Sequence, residues 1–216
     1  MLTNDSSNYN TRFNSSEYWE SRYARGETSG AGSYNILAGF KAEILNEFIE
    51  ANSVFSVVEW GCGDGNQLSY MKYHEYCGLD VSPSAIELCK SRFADDDTKS
   101  FVLTNGIHRL DKMYDLAISL DVIFHLIEDE VYSQYMINLF SSSDKYVCIY
   151  SSNNNVPSSS IHVKHRCFNE FVKDTFTDFE LINYIPNRYP WDDKNPNNTS
   201  FSDFYFYQKR KEEDIG

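Results

Sequence analysis

Val57-Val58-Glu59-Trp60-Gly61-Cys62-Gly63-Asp64-Gly65-Asn66 joins a short apolar segment to a glycine-rich turn. Residues 54–60 have the composition of a buried strand, and the change to glycine marks its end. The three glycines occupy alternate positions, whereas the dinucleotide fingerprint has two residues before its last glycine. Because glycines leave the floor of a turn bare, its peptide N–H groups can donate hydrogen bonds to a ligand. The turn is therefore the predicted ligand site.

Two later apolar segments also end in polar residues. Cys77-Gly78-Leu79-Asp80-Val81 places a carboxylate fifteen positions after Gly65, and residues 114–122 are followed by Phe124-His125-Leu126. A carboxylate at the end of a second strand can accept hydrogen bonds from both hydroxyls of a ribose. Glu59, the alternate glycines and Asp80 together resemble the class I, Rossmann-like methyltransferases that use S-adenosylmethionine.

The resemblance implies a single three-layer α/β domain with the Rossmann-like methyltransferase fold. Its sheet is expected to have seven strands, mainly parallel, with one antiparallel strand. Asn105 stands where the family often has an aspartate that contacts the adenine amino group. The residues that the resemblance assigns to the cofactor are Trp19, Arg22, Glu59, Gly61, Gly63, Asp64, Gly65, Asp80, Val81, Asn105, Gly106, Leu120 and Asp121.

Hydrophobic periodicity predicts alternating strands and helices. Helices are expected over 36–50, 66–73, 85–93, 128–140 and 168–176, and strands over 54–60, 77–81, 100–104, 114–120, 146–150, 179–185 and 201–207. The methyltransferase domain is expected to span residues 36–210. Residues 1–35 form a separate segment, in which the Tyr18, Trp19 and Arg22 cluster either closes over the cofactor or docks on the core as a surface helix.

Composition excludes several classes of protein. The chain has 216 residues, 41% hydrophobic, which is enough for one core and too apolar for a largely disordered protein. A net charge of −13 disfavours nucleic acid and anionic membranes as partners, and no apolar run is long enough to cross a bilayer. Five cysteines without a Cys-x-x-Cys pair, and no signal peptide, predict a cytoplasmic protein with reduced thiols.

Three histidines are candidates for a single catalytic base. If the acceptor is an alcohol its proton must leave during transfer, and His165 is the first choice, followed by His162 and His125. The alternative for each is a structural or surface role. His162-x-x-His165-x-Cys167 lacks further ligands nearby, so no metal is predicted.

The acceptor is expected to be a small, polar or anionic metabolite. Arg166 and Arg188, with Lys164, could bind an anionic group, because arginine matches phosphate oxygens in a fork; ordinary surface charges are the alternative. Tyr18 is the further predicted acceptor contact. The Tyr18-Trp19 opening, Gly61 to Gln67 and an aromatic-rich last strand are similar to small methyltransferases of bacterial surface-polysaccharide pathways.

Two other functions stay open. An NAD-type oxidoreductase would also use the carboxylate of Asp80, although the glycine spacing argues against it. A methyltransferase fold kept as a non-catalytic binding or scaffold protein would retain the same glycines, because fold does not determine activity. The oligomeric state, the acceptor and the methylated atom do not follow from the sequence.

Overall fold

Seven strands form one sheet in the computed structural model, which describes residues 13–104 and 109–211. The strands are β1 (Ser56–Trp60), β2 (Glu75–Asp80), β3 (Lys99–Leu103), β4 (Tyr114–Leu120), β5 (Ser143–Ser151), β6 (Phe179–Ile185) and β7 (Asp203–Lys209). Their order across the sheet is β3-β2-β1-β4-β5-β7-β6. Strand β7 runs antiparallel to β5 and to β6, whereas the other neighbouring strands are parallel. The expected fold class is confirmed.

Helices cover both faces of this sheet. They are α1 (Ser15–Ala24), α2 (Asn35–Ala51), α3 (Pro83–Arg92), α4 (Asp129–Ser141) and α5 (Phe168–Thr175), with short 3₁₀ turns at Ala31–Ser33, Gln67–Tyr70 and Ile123–His125. One core contains Phe40 and Leu45 of α2, and the other contains Met136 and Leu139 of α4. The central strand β1 is buried along its whole length, as expected for a strand covered on both faces.

The prediction of a helix over residues 66–73 is wrong, because the structure has only the 3₁₀ turn Gln67–Tyr70 there. Met71 is extended, and the side chain of Asn46 contacts the backbone on both sides of it. Its amide donates to the Tyr70 carbonyl oxygen (3.1 Å), and its oxygen accepts from the Lys72 N–H (2.9 Å). These contacts from α2 supply the hydrogen bonds that a longer helix would have made, so the helix ends after one turn.

The strand order places the ligand crevice between β1 and β4. The chain moves from β1 to β2 and β3 on one side, then crosses to β4 on the other, so β1 and β4 flank the point where the order reverses. Ligands of open α/β sheets bind outside the carboxyl ends of the strands at such a point. The glycine turn follows β1, and Asp121 follows β4, directly at this crevice. No helix within the described ranges is long and apolar enough to span a membrane.

Candidate functional site

The glycine turn adopts a backbone that only glycine accommodates without strain. Gly61 has φ 86° and Gly63 has φ 57°, both in the left-handed region. A Cβ on Gly63 would lie 2.4 Å from the Ser29 hydroxyl oxygen, and one on Gly61 would lie 2.5 Å from a Val122 methyl carbon. The close approach of the chain on both sides therefore requires these residues, and it leaves bare peptide on the floor of the crevice.

Asp80 lies beside the glycine turn and contacts it. Its carboxylate is buried at the end of β2 and accepts hydrogen bonds from the Gly63 N–H and the Ser82 N–H, each at 2.9 Å. Burial raises the pKa of Asp80 to about 6, although these backbone donors favour its charged form. The same carboxylate that faces the crevice therefore also holds the glycine turn in place.

Glu59 supplies a second buried carboxylate. It lies on β1, two residues before Gly61, and accepts a hydrogen bond from the Tyr76 hydroxyl at 2.6 Å. Burial raises the pKa of Glu59 to about 7, because removal from water disfavours the charged form. A cationic group that binds beside this carboxylate would stabilise its charged form.

These residues line a cavity of about 320 Å³, called here the cofactor cavity. Most of the residues predicted to bind the cofactor line it: Trp19, Glu59, Gly61, Gly63, Asp64, Asp80, Val81, Leu120 and Asp121. Gly65 packs against Cys89 and Phe93 outside the lining, and Arg22 lines a neighbouring cavity. Asn105 and Gly106 lie outside the described residues.

Three carboxylates connect the N-terminal segment to the domain around this cavity. Glu128 accepts from the backbone N–H and hydroxyl of Ser15, at 3.0 and 2.9 Å. Glu20 accepts from the Ser82 hydroxyl and from the hydroxyl and N–H of Ser84, at the start of α3. The two hydroxyl donors lower the pKa of Glu20. Asp64 accepts from the Ser29 N–H (2.9 Å) and the Tyr34 hydroxyl (2.8 Å). Helix α1 and the loop after it thus form part of the cavity wall.

A second cavity, called here the acceptor cavity for the role proposed below, adjoins the first. It measures about 300 Å³ and contains the predicted residues Tyr18, Arg22 and His162. The residues that line both cavities are Trp19, Ser29, Ser33, Asp121 and His125. Two ligands bound in the two cavities would therefore meet beside these five side chains.

His125 is the imidazole at this junction. Its Nδ1 lies 2.8 Å from the backbone carbonyl oxygen of His162, and because a carbonyl can only accept, Nδ1 carries the proton. The other ring nitrogen, Nε2, then has a free lone pair. Burial lowers the pKa of His125 to about 4, so the ring is neutral at physiological pH. The ring of His162 stacks on Tyr18 at 5.0 Å and on His125 at 5.5 Å.

Three other predicted side chains make contacts elsewhere. The Nδ1 of His165 lies 2.6 Å from the Ser152 hydroxyl, and His165 is not among the residues that line either cavity. Arg166 donates to Asp129 at 2.9 Å, and Arg188 binds Glu43 through both terminal nitrogens. Both arginines are thus held in ion pairs, whereas His165 lies behind the lining of the acceptor cavity, with its ring centroid 4.7 Å from that of Phe201 and 6.3 Å from that of Phe124.

Lys41 is a site residue that the sequence analysis did not identify. It is fully buried on α2, and its Nζ lies 2.9 Å from Asp121 Oδ2, while the Ser202 hydroxyl donates to the other oxygen at 2.7 Å. Asp121 has φ 59°, a conformation that costs energy for a residue other than glycine. A signal was present, since Lys41 interrupts the apolar stripe between Leu37 and Leu45.

No group of three or more metal-ligating side chains lies close enough to hold an ion in the part of the chain that the structure describes.

Tyr135 is a further residue that sequence reasoning missed. It lines the cofactor cavity, and its hydroxyl donates to the Trp60 carbonyl oxygen at 2.7 Å. Its place on α4 gave no pattern that separates it from core tyrosines.

Comparison with known proteins supports the same fold. A family model described as a methyltransferase domain matches residues 58–143. The structure of the N-methyltransferase NodS from Bradyrhizobium japonicum WM9, in complex with S-adenosyl-L-homocysteine, is similar with a TM-score of 0.73 and 13% identity, covering 92% of this chain and 100% of that one. No curated protein sequence matches the chain.

Two further solved structures agree. Magnesium protoporphyrin IX methyltransferase from Synechocystis PCC 6803, with bound S-adenosyl-L-homocysteine, has a TM-score of 0.66 and 15% identity over 89% of this chain and 97% of that one. The methyltransferase domain of a bacterial Hen1 has a TM-score of 0.62 and 16% identity over 79% and 97%. This chain therefore has the Rossmann-like methyltransferase fold, and its glycine turn, Asp80 and β4 lie within the segment that matches a methyltransferase domain.

Proposed function

We propose that the protein is an S-adenosylmethionine-dependent methyltransferase that acts on a small acceptor. The observation that carries this proposal is the pair of adjoining cavities, one built on the glycine turn with two buried carboxylates, the other meeting it at His125. An NAD-type oxidoreductase is disfavoured by the alternate glycines. A non-catalytic binding protein could keep both cavities, and it would be distinguished by the lack of methyl transfer.

The lining of the cofactor cavity supports its assignment to S-adenosylmethionine. The bare turn at Gly61 and Gly63 and the Glu59 carboxylate suit the methionine part, whose ammonium group is cationic. Asp80 suits the ribose hydroxyls. A groove of about 930 Å³ continues past Asp80 and Val81 to Leu103 and Thr104, on the side proposed for the adenine. The contacts of Asn105 and Gly106 with the adenine stay predictions.

The residues at the junction would hold and orient the reacting groups. S-adenosylmethionine supplies a methyl group that is activated by its sulfonium. Trp19, Asp121 and His125 border both cavities and would fix the position of the acceptor, and such positioning can supply about 7–11 kcal/mol of a reaction barrier. His125 Nε2, with its free lone pair, would accept the proton of a hydroxyl acceptor. It replaces His165 as the first choice because it lies at the junction.

The finer assignments come from the sequence. We propose O-methylation, with a building block of a bacterial surface polysaccharide as the acceptor, on the strength of the sequence resemblance. The N-terminal segment, residues 1–35, is proposed to cover the cofactor, which the contacts of Glu20, Asp64 and Glu128 support. The five cysteines are unpaired, and the cytoplasmic location stays a prediction from their pattern.

Calorimetric titration with S-adenosylhomocysteine tests the proposed function. We expect tight binding of this ligand and none of NADH. We expect Asp80→Ala to weaken binding by about 2–4 kcal/mol, because it removes a charged acceptor of two hydrogen bonds and releases the Gly63 N–H. The exposed Asp97→Ala is the matched control. Absence of binding by folded wild-type protein would contradict the proposal.

Binding is also expected to release a proton near neutral pH. Glu59 has a pKa of about 7 without ligand, and a bound ammonium group favours its charged form, so the complex holds fewer protons. At pH 7 about half a proton should be released through Glu59, and affinity should fall by up to about tenfold for each unit below pH 7. The measurement is the binding heat at pH 7 in buffers of different ionisation enthalpy. A Glu59→Gln variant that kept the same proton release would refute the assignment.

A further inference from the structure

The walls of the acceptor cavity are aromatic. Tyr18, Trp19, Phe124, Trp191 and Phe201 line it. Phe201 contacts both Phe124 and Trp191, with ring centroids 4.9 and 5.6 Å apart. Trp191 belongs to the loop between β6 and β7 and is 46% exposed, so part of its ring surface is accessible. Rings of this kind offer flat apolar surfaces against which another ring packs well.

The charges that line this cavity balance. Among its described lining residues Arg22 and Asp121 are the charged side chains. Asp121 is already paired with Lys41 at 2.9 Å. Arg22 donates to the Thr28 carbonyl oxygen at 2.7 Å and lies 3.2 Å from the Glu27 carboxylate. The cavity therefore has no strong net charge with which to attract an ion.

The remaining polar groups are neutral. Burial lowers the pKa of His162, so its imidazole is mostly uncharged at neutral pH. Ser160 and Ser200 also line the cavity and carry hydroxyl groups. Hydroxyl and imidazole groups can donate to and accept from the hydroxyls of a ligand.

The basic residues that would suit an anionic acceptor are engaged elsewhere. Lys164 and Arg166 both contact Asp129, at 2.6 and 2.9 Å. Arg188 makes a forked pair with Glu43, and none of the three is among the lining residues of the acceptor cavity. A phosphate placed there would meet Arg22 alone, beside the carboxylate of Asp121. The net charge of −13 adds a general repulsion of anions.

We infer that the acceptor cavity binds an uncharged ring that carries hydroxyl groups, with one face of the ring against Trp191. This inference rests on the proposed function in naming the occupant an acceptor. Of the polar or anionic acceptors expected from the sequence, it selects the uncharged polar kind. Phenols and neutral sugars share this chemistry, and their binding can be compared directly.

The test uses two matched pairs of probes and ligand-observed NMR. Phenol is compared with phenyl phosphate, and methyl β-D-glucopyranoside with glucose 1-phosphate, each titrated with and without saturating S-adenosylhomocysteine. We expect at least one neutral probe to bind about tenfold or more tightly than its phosphorylated partner. The pair that shows this preference distinguishes a phenol from a sugar. Failure of both neutral probes, or tighter binding of the phosphates, would overturn the inference.

Variants of Trp191 locate the binding. Trp191→Ala should weaken the neutral probe about five- to tenfold, and Trp191→Phe should retain most of the affinity, because a ring is kept. Phe55→Ala, at a residue 60% exposed and outside both cavities, is the matched control. An unchanged affinity in Trp191→Ala would place the probe elsewhere and refute the inference. The titration with S-adenosylhomocysteine is separate: its failure would count against methyl transfer, and failure of the neutral probes alone counts against the acceptor class.

Discussion

Lys41→Met is expected to lower the free energy of unfolding by about 3–5 kcal/mol, because it leaves a partly buried carboxylate without its cation. Lys41 is fully buried, and the Asp121 side chain is 16% exposed, so water cannot replace the lost partner well. Methionine has a similar volume and no charge, which separates the electrostatic loss from a loss of packing. For a chain of this size the change corresponds to a decrease in Tm on the order of 10 °C.

Thermal and urea unfolding would measure this effect in the ligand-free protein. Lys72→Met is the control, because Lys72 is exposed on the same domain and its replacement should change stability by less than about 0.5 kcal/mol. The double variant Lys41→Met/Asp121→Asn removes both charges, and it should recover part of the lost stability. If Lys41→Met were no less stable than Lys72→Met, the ion pair would have no structural role.

The pair also explains how Asp121 keeps its unusual backbone. Asp121 has φ 59°, and a Cβ on Gly32 would lie 2.7 Å from its Oδ2, so the loop after α1 must approach it closely. Lys41 from α2 and Ser202, the residue before β7, hold its two oxygens. Two residues far apart in the sequence thus fix one carboxylate at the junction of the cavities, which is where strained residues are expected.

Local patterns were sufficient to predict where the residues of the proposed cofactor site lie in the fold. Glu59, Gly61, Gly63 and Asp80 lie at the ends of β1 and β2, and their positions follow from strand boundaries that hydrophobic patterns predict. The seven-stranded sheet with its antiparallel β7 followed from the family resemblance that these residues carry. The prediction of a helix after the turn was wrong, because it could not foresee Asn46. This residue, twenty-four positions from Tyr70, makes hydrogen bonds that the helix would otherwise have made.

The acceptor side could not be predicted because it depends on pairs that are far apart in sequence. Arg188 and Glu43 are separated by 145 positions, and Lys41 and Asp121 by 80. Before folding, Arg188 is a free cation that suits a phosphate; after folding it is part of an exposed ion pair. The choice between His125 and His165 likewise depends on where the chain after β5 lies. Hydrophobic periodicity does not predict the path of such a loop.

His125→Ala is expected to lower kcat for methyl transfer to a hydroxyl acceptor by about 10²–10⁴-fold, because it removes the base at the junction. Affinity for S-adenosylhomocysteine should change far less, since Glu59, Asp80 and the glycine turn carry the proposed cofactor contacts. The measurement is single-turnover transfer from radiolabelled S-adenosylmethionine to the neutral acceptor that binds in the acceptor cavity. His74→Ala, an exposed histidine that stacks on Phe55, is the matched control.

The pH dependence distinguishes His125 from an ordinary histidine. Its pKa is lowered to about 4, so the neutral, proton-accepting form persists as the pH falls through 6.5 and is lost only near pH 4. With saturating S-adenosylmethionine, the rate of the transfer step should therefore be constant from pH 8 to about pH 5, whereas a solvated histidine would lose activity below about 6.5. NMR titration of the His125 ring nitrogens would measure the same pKa directly. A midpoint near 6.5 in both experiments would show that the ring is accessible to water, and an unchanged rate in His125→Ala would remove it from the reaction.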